Sequence, residues 1–92
     1  LLDAIRARVS YAEEDWLILV STDHGRRADG GHGGDSPEES TIFFFAHGPS
    51  VIPGEILGTP AIVDVAVTAL THLGIQINPD WGLDGRDRAL QP

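Results

Sequence analysis

Asp15-Trp16-Leu17-Ile18-Leu19-Val20-Ser21-Thr22-Asp23-His24-Gly25 decides how the rest of the chain is read. A short apolar run ends in two side chains able to ligate metal, then in a glycine. The run is too short and too rich in branched aliphatics for a helix of ordinary length. It predicts a strand over 16–21, buried on both faces as in a parallel sheet. In open α/β sheets, ligands bind outside the carboxyl ends of the strands, which is where Asp23 and His24 fall. A carboxylate beside an imidazole suits a zinc-like or manganese-like ion. The same pair also suits a plain strand-ending turn, because Asp is a common turn residue. A glycine-rich segment follows at once, Gly30-Gly31-His32-Gly33-Gly34, and brings in a second imidazole.

Working outward, 1–14 reads as a helix, with Leu2, Ile5 and Val9 on one face and Arg6, Arg8, Glu13 and Glu14 in solvent. After the strand, 22–40 reads as a loop holding five of the eleven glycines. A loop near that length is uncommon in a compact domain unless it is functional or disordered, and its ligand-type residues favour function. Residues 41–46 form a second buried strand whose consecutive aromatics, Phe43 to Phe45, pack between layers. His47-Gly48-Pro49 ends it, His47 being a turn residue rather than a ligand. A turn with a short edge strand is expected over 51–57, interrupted by Pro53-Gly54. Asp64 is the expected N-cap of a helix over 65–73, and Gly74 its stop. Ile75 and Ile77 suit a short strand or packed tail, Trp81 a cover, and 82–92 a frayed end.

The bulk properties narrow the classes. The 92 residues make one domain or part of one, and the net charge is −8, with Arg as the only strongly basic residue type. An acidic balance argues against non-specific binding to nucleic acid or to anionic membranes. It leaves room for an anionic substrate, because a bound cation reverses the local field. Without cysteine there is neither disulfide nor thiolate metal site. No stretch approaches the roughly 20 apolar residues of a transmembrane helix, and the compartment is left open. The start at Leu1-Leu2-Asp3 reads as the middle or end of a helix, and a doubly wound α/β fold usually needs more chain. A piece of a longer enzyme is therefore expected.

Several separated segments, taken in order, resemble one family. They are Ser21-Thr22-Asp23-His24-Gly25, Gly31-His32-Gly33, Ser36-Pro37-Glu38-Glu39-Ser40-Thr41-Ile42 and Gly48-Pro49-Ser50-Val51-Ile52-Pro53-Gly54. Val63-Asp64-Val65-Ala66-Val67-Thr68-Ala69-Leu70, Leu73-Gly74-Ile75 and Trp81-Gly82-Leu83-Asp84-Gly85-Arg86 complete them. The set is similar to the C-terminal part of type I phosphodiesterase/nucleotide pyrophosphatase proteins of the alkaline phosphatase superfamily. The resemblance implies a three-layer α/β/α fold, of which this chain is the C-terminal segment of one catalytic domain. It implies two divalent metal ions, zinc or alternatively manganese, with Asp23 and His24 on one and His32 on the other. The nucleophile would come from the remainder of the parent chain, since Ser21, Thr22, Ser36 and Ser40 stand outside its context. The implied function is phosphoric ester hydrolysis on a small phosphate-ester substrate, with the isolated chain inactive. A sulfatase-like hydrolase or a phosphoethanolamine transferase of the same superfamily is the alternative, as is a non-catalytic module on the same scaffold. Val67 departs from the proline common in relatives, which touches the helix start rather than the chemistry.

Overall fold

The computed structural model describes residues 1–56 and 58–91. In order, the elements are α1 (Leu2–Arg6), a 3-10 turn (Tyr11–Glu13), β1 (Ile18–Ser21), α2 (Pro37–Ser40), β2 (Phe44–His47), α3 (Val63–His72) and a second 3-10 turn (Pro79–Trp81). Leu57, the last residue of the expected edge-strand segment, and Pro92, the last of the expected frayed tail, lie outside the described residues.

The two strands appear where the apolar runs predict them, but β1 and β2 pair antiparallel, Ile18 opposite His47 and Ser21 opposite Phe44. This corrects the expectation of a strand buried as in a parallel sheet. A parallel pair needs a long crossover, usually a helix. The connection here contains only the single turn α2, so the chain doubles back as a wide hairpin. α3 packs against β1. Val20 and Phe45 are paired in register, so they share one face of the sheet, and both are exposed, at 41% and 54%. Phe43, two residues before Phe45 and exposed as well, extends that bare apolar strip.

The first helix is shorter than predicted. It ends at Arg6, Ile5 alone is buried, and Val9 is fully exposed. A helix this short is marginal without an apolar face to pack, and the chain takes another option. The Arg8 guanidinium leaves the helix to bond both carboxylate oxygens of Glu14 at 2.9 Å and lies 5.4 Å over the Trp16 ring.

α3 starts two residues earlier than expected, and Asp64 is not its N-cap. Ile62 occupies that position without a capping side chain. The Asp64 carboxylate lies inside the first turn and accepts the Ala61 and Arg86 backbone N–H groups, each at 2.8 Å, and the Arg88 Nε–H at 3.0 Å. It thereby joins the helix start to the tail. That tail is not frayed through residue 91. Val51 bridges Leu90, Ile52 N–H donates to Ala89 O at 2.8 Å and Gln91 N–H to Ser50 O at 2.9 Å. Ile75 forms no strand. Its N–H closes the helix end on Leu70 O at 3.0 Å, with Gly74 N–H on Thr71 O at 3.0 Å, a Schellman closure. Trp81 is half exposed rather than a buried cover.

Candidate functional site

β1 ends at Ser21, and the next turn presents Asp23 and His24. The His24 ring Nδ1 lies 2.6 Å from Gly25 O. A carbonyl only accepts, so Nδ1 carries the proton and Nε2 keeps its lone pair in the neutral ring. That Nε2 stands 3.6 Å from Asp23 Oδ1. Two acceptors facing each other at this range leave the place between them to a cation, or to a proton on the ring.

His32 arrives from the glycine-rich loop and stacks on His24, ring centroids 5.2 Å apart and planes within 10°. The two rings therefore lie face to face, in nearly parallel planes. Among the described residues, no three His, Asp or Glu side chains converge to hold a single metal. Asp23 with His24, and His32 beside them, are the donors this chain brings together.

The loop that carries His32 is held by its own groups. Arg27 N–H donates to Gly31 O at 2.8 Å. Asp29 accepts from the Arg27 guanidinium and, at 2.9 Å, from Gly31 N–H. Arg27 first, then Gly31, keep the Asp29 carboxyl below its ordinary range. Arg26 reaches Gly30 O at 3.3 Å. Both arginines thus serve the loop. His47 sits opposite Ile18 at the other end of the hairpin, three strand residues from the site end, or roughly 10 Å at ~3.4 Å per residue. The structure keeps it apart from the two stacked histidines.

The element absent from the sequence reading is α2, and with it Glu39, which is buried at 7% exposure. Ser36 caps α2 by accepting Glu39 N–H at 3.3 Å, with Pro37 at the first helical position. In return Glu39 accepts the Ser36 hydroxyl at 2.7 Å and the Gly34 N–H at 2.7 Å. Its backbone carbonyl accepts Gly25 N–H at 2.7 Å. The Ser36 bond first, then Gly34, hold its carboxyl below the ordinary range against the opposing effect of burial. The pattern Ser36-Pro37-Glu38-Glu39 is a capping-box signature and was the signal available. Gly25 is pressed so closely that a Cβ there would lie 2.0 Å from Glu38 O and 2.5 Å from Thr41 O. Only glycine fits between His24 and α2.

A cleft of about 600 Å³ opens beside this cluster, lined by Asp23, His24, Glu39, Phe44, Thr59 and Ile62 among others. One wall carries the candidate ligands. Phe44 and Ile62 give it an apolar side.

Residues 55–89 match the family model described as "Domain of unknown function (DUF4983)". The chain is also 43% identical over 47 residues to GPI ethanolamine phosphate transferase 3 of Eremothecium gossypii, a match covering 49% of this chain and 5% of that protein. It is 38% identical over 48 residues to the human GPI ethanolamine phosphate transferase 3, catalytic subunit, covering 52% of this chain and 4% of that one. The chain thus spans about a twentieth of the length of these relatives. No solved structure matches it.

Proposed function

We propose that this chain is the metal-holding segment of an alkaline phosphatase superfamily domain that breaks a phosphorus–oxygen bond in a phosphate diester. The observation that carries the reading is the cluster at the end of β1. Asp23 and the free Nε2 of His24 face each other at 3.6 Å, with His32 stacked alongside at 5.2 Å. Two divalent ions, zinc before manganese, suit these donors. When bound, such ions lower the pKa of an attacking hydroxyl and offset charge on the phosphoryl oxygens. The chain's own residues supply the holding. Gly25 O fixes the His24 tautomer, and the Asp29 and Glu39 bonds fix the loop that carries His32. The attacking hydroxyl comes from another segment of the parent domain. Ser36 is engaged with Glu39.

Within that chemistry, transfer of phosphoethanolamine to an acceptor hydroxyl is better supported than phosphodiester or pyrophosphate hydrolysis. The support is in the names of the two relatives, both transferases. The bare strip of Val20, Phe43 and Phe45 supports a further layer on the sheet, as a three-layer α/β/α domain requires.

The test uses the whole protein loaded with zinc. A phosphoethanolamine diester is offered with an acceptor alcohol, beside bis-p-nitrophenyl phosphate. Transfer is expected to exceed hydrolysis, and Asp23→Ala, His24→Ala and His32→Ala each to lower activity by about 100-fold or more, with loss of bound metal. Full activity in all three variants would overturn the reading.

A further inference from the structure

We infer that Glu39 is the positioning residue that sets the spacing of His24 and His32. The inference rests on the two-metal reading for its purpose, and on hydrogen bonds alone for its geometry. Each histidine lies within two residues of a backbone N–H that Glu39 accepts. The Gly25 N–H, one residue after His24, goes to its main-chain carbonyl at 2.7 Å. The Gly34 N–H, two residues after His32, goes to its Oε2 at 2.7 Å. Oε1 takes the Ser36 hydroxyl at 2.7 Å, which fixes the side-chain torsions. One residue therefore holds both imidazole-bearing turns, which otherwise belong to a long glycine-rich connection with many accessible conformations. The carboxylate is occupied by these donors and is buried. Its work is to hold protein against protein. The ligands it holds need accurate placement, because a site loose by about an ångström loses much of its effect.

Removing the carboxylate releases the Gly34 side of the His32 loop, whose other side stays held by Arg27 and Asp29, while leaving the β1 turn on the Glu39 carbonyl. The stacked pair should then come apart without loss of the strands. The amide of glutamine can still accept from Gly34 N–H and can donate to the Ser36 oxygen, so the conservative variant should restore the clip.

The experiment compares the whole protein with Glu39→Ala, Glu39→Gln and the milder Ser36→Ala. It reads the imidazole ring resonances of His24 and His32, and the binding of Co²⁺ followed by its visible absorption. In Glu39→Ala the mutual ring-current shift of the two histidines is expected to vanish in metal-free protein. Co²⁺ affinity is expected to fall about 10–100-fold, as for outer groups that orient metal ligands. Glu39→Gln should recover most of both, and Ser36→Ala should fall between. If Glu39→Ala leaves the ring shift and the Co²⁺ affinity as in the wild type, the inference is wrong while the metal reading stands. If Glu39→Gln is as impaired as Glu39→Ala, the charge itself is required and the clip is wrong. Should the wild type bind no Co²⁺, the metal reading fails, and the ring shifts alone still decide the clip.

Discussion

Asp64 shows what a single buried carboxylate does in this chain. It is 2% exposed and takes three donors, two backbone N–H groups and the Arg88 guanidinium. Burial pushes its pKa upward most strongly, yet the Ala61 and Arg86 bonds and Arg88 together outweigh burial and hold it below its ordinary 3.8. The sign follows. A depressed folded pKa contributes stability that is complete above 3.8 and is lost as pH falls through the lower folded value. Asp64→Ala should lower the unfolding free energy by about 3–5 kcal/mol, the usual cost of leaving one partner of a buried pair unpaired. It should also flatten the acid limb of the stability curve. Urea midpoints of the two proteins from pH 7 down to pH 2.5 measure both effects. The sequence made Asp64 legible as structural, but its partners lie 22 and 24 positions downstream, beyond any local pattern. Glu39 differs, since Ser36-Pro37-Glu38-Glu39 carries its signal locally. The stacking of His24 on His32 is not legible in the sequence, because no spacing rule brings two loop residues face to face, and the resemblance implies only that the two serve neighbouring ions.

Among the elements, the dense apolar runs located both strands and α3 to within a few residues. α2 escaped because one helical turn is too short to show periodicity. The antiparallel pairing of β1 with β2 is not legible in the two apolar runs, because the deciding fact is what the connection between them contains. The end of α3 was read correctly. Gly74 has a φ of 73°, and the Gly74 and Ile75 N–H groups close the last turn. A Cβ on Gly74 would meet nothing within 4 Å, so substitution isolates the backbone cost. Gly74→Ala should destabilise the protein by about 1–2 kcal/mol, the penalty of the left-handed region for a residue with a Cβ. Its thermal midpoint should fall. A variant as stable as the wild type would mean that the helix ends elsewhere in solution.

For the whole molecule, the surface is the informative quantity. The chain exposes 6816 Å², whereas a self-contained monomer of 9.8 kDa exposes about 5,200 Å². Its radius of gyration is 15.5 Å, against about 12 Å for a compact domain of this length. Among the described residues only Ile5, Val67 and Ala89 form a buried apolar core, too little to offset the entropy of ordering the chain. Part of that exposed surface lies on one side of the hairpin, where Phe43 and Phe45 stand 56% and 54% exposed. A three-layer domain buries that side under a second helical layer. If the whole protein does so, Phe45→Ala should lower its stability by about 3–5 kcal/mol, the cost of emptying a packed aromatic site. In the isolated 92-residue chain the same substitution should instead reduce dye binding and aggregation, because there the ring faces water. The opposite signs are the diagnostic. Chemical denaturation of the whole protein, set beside light scattering of the isolated chain, reads them. A whole protein that keeps its unfolding midpoint after Phe45→Ala has nothing packed on this face, and the three-layer architecture does not extend over it.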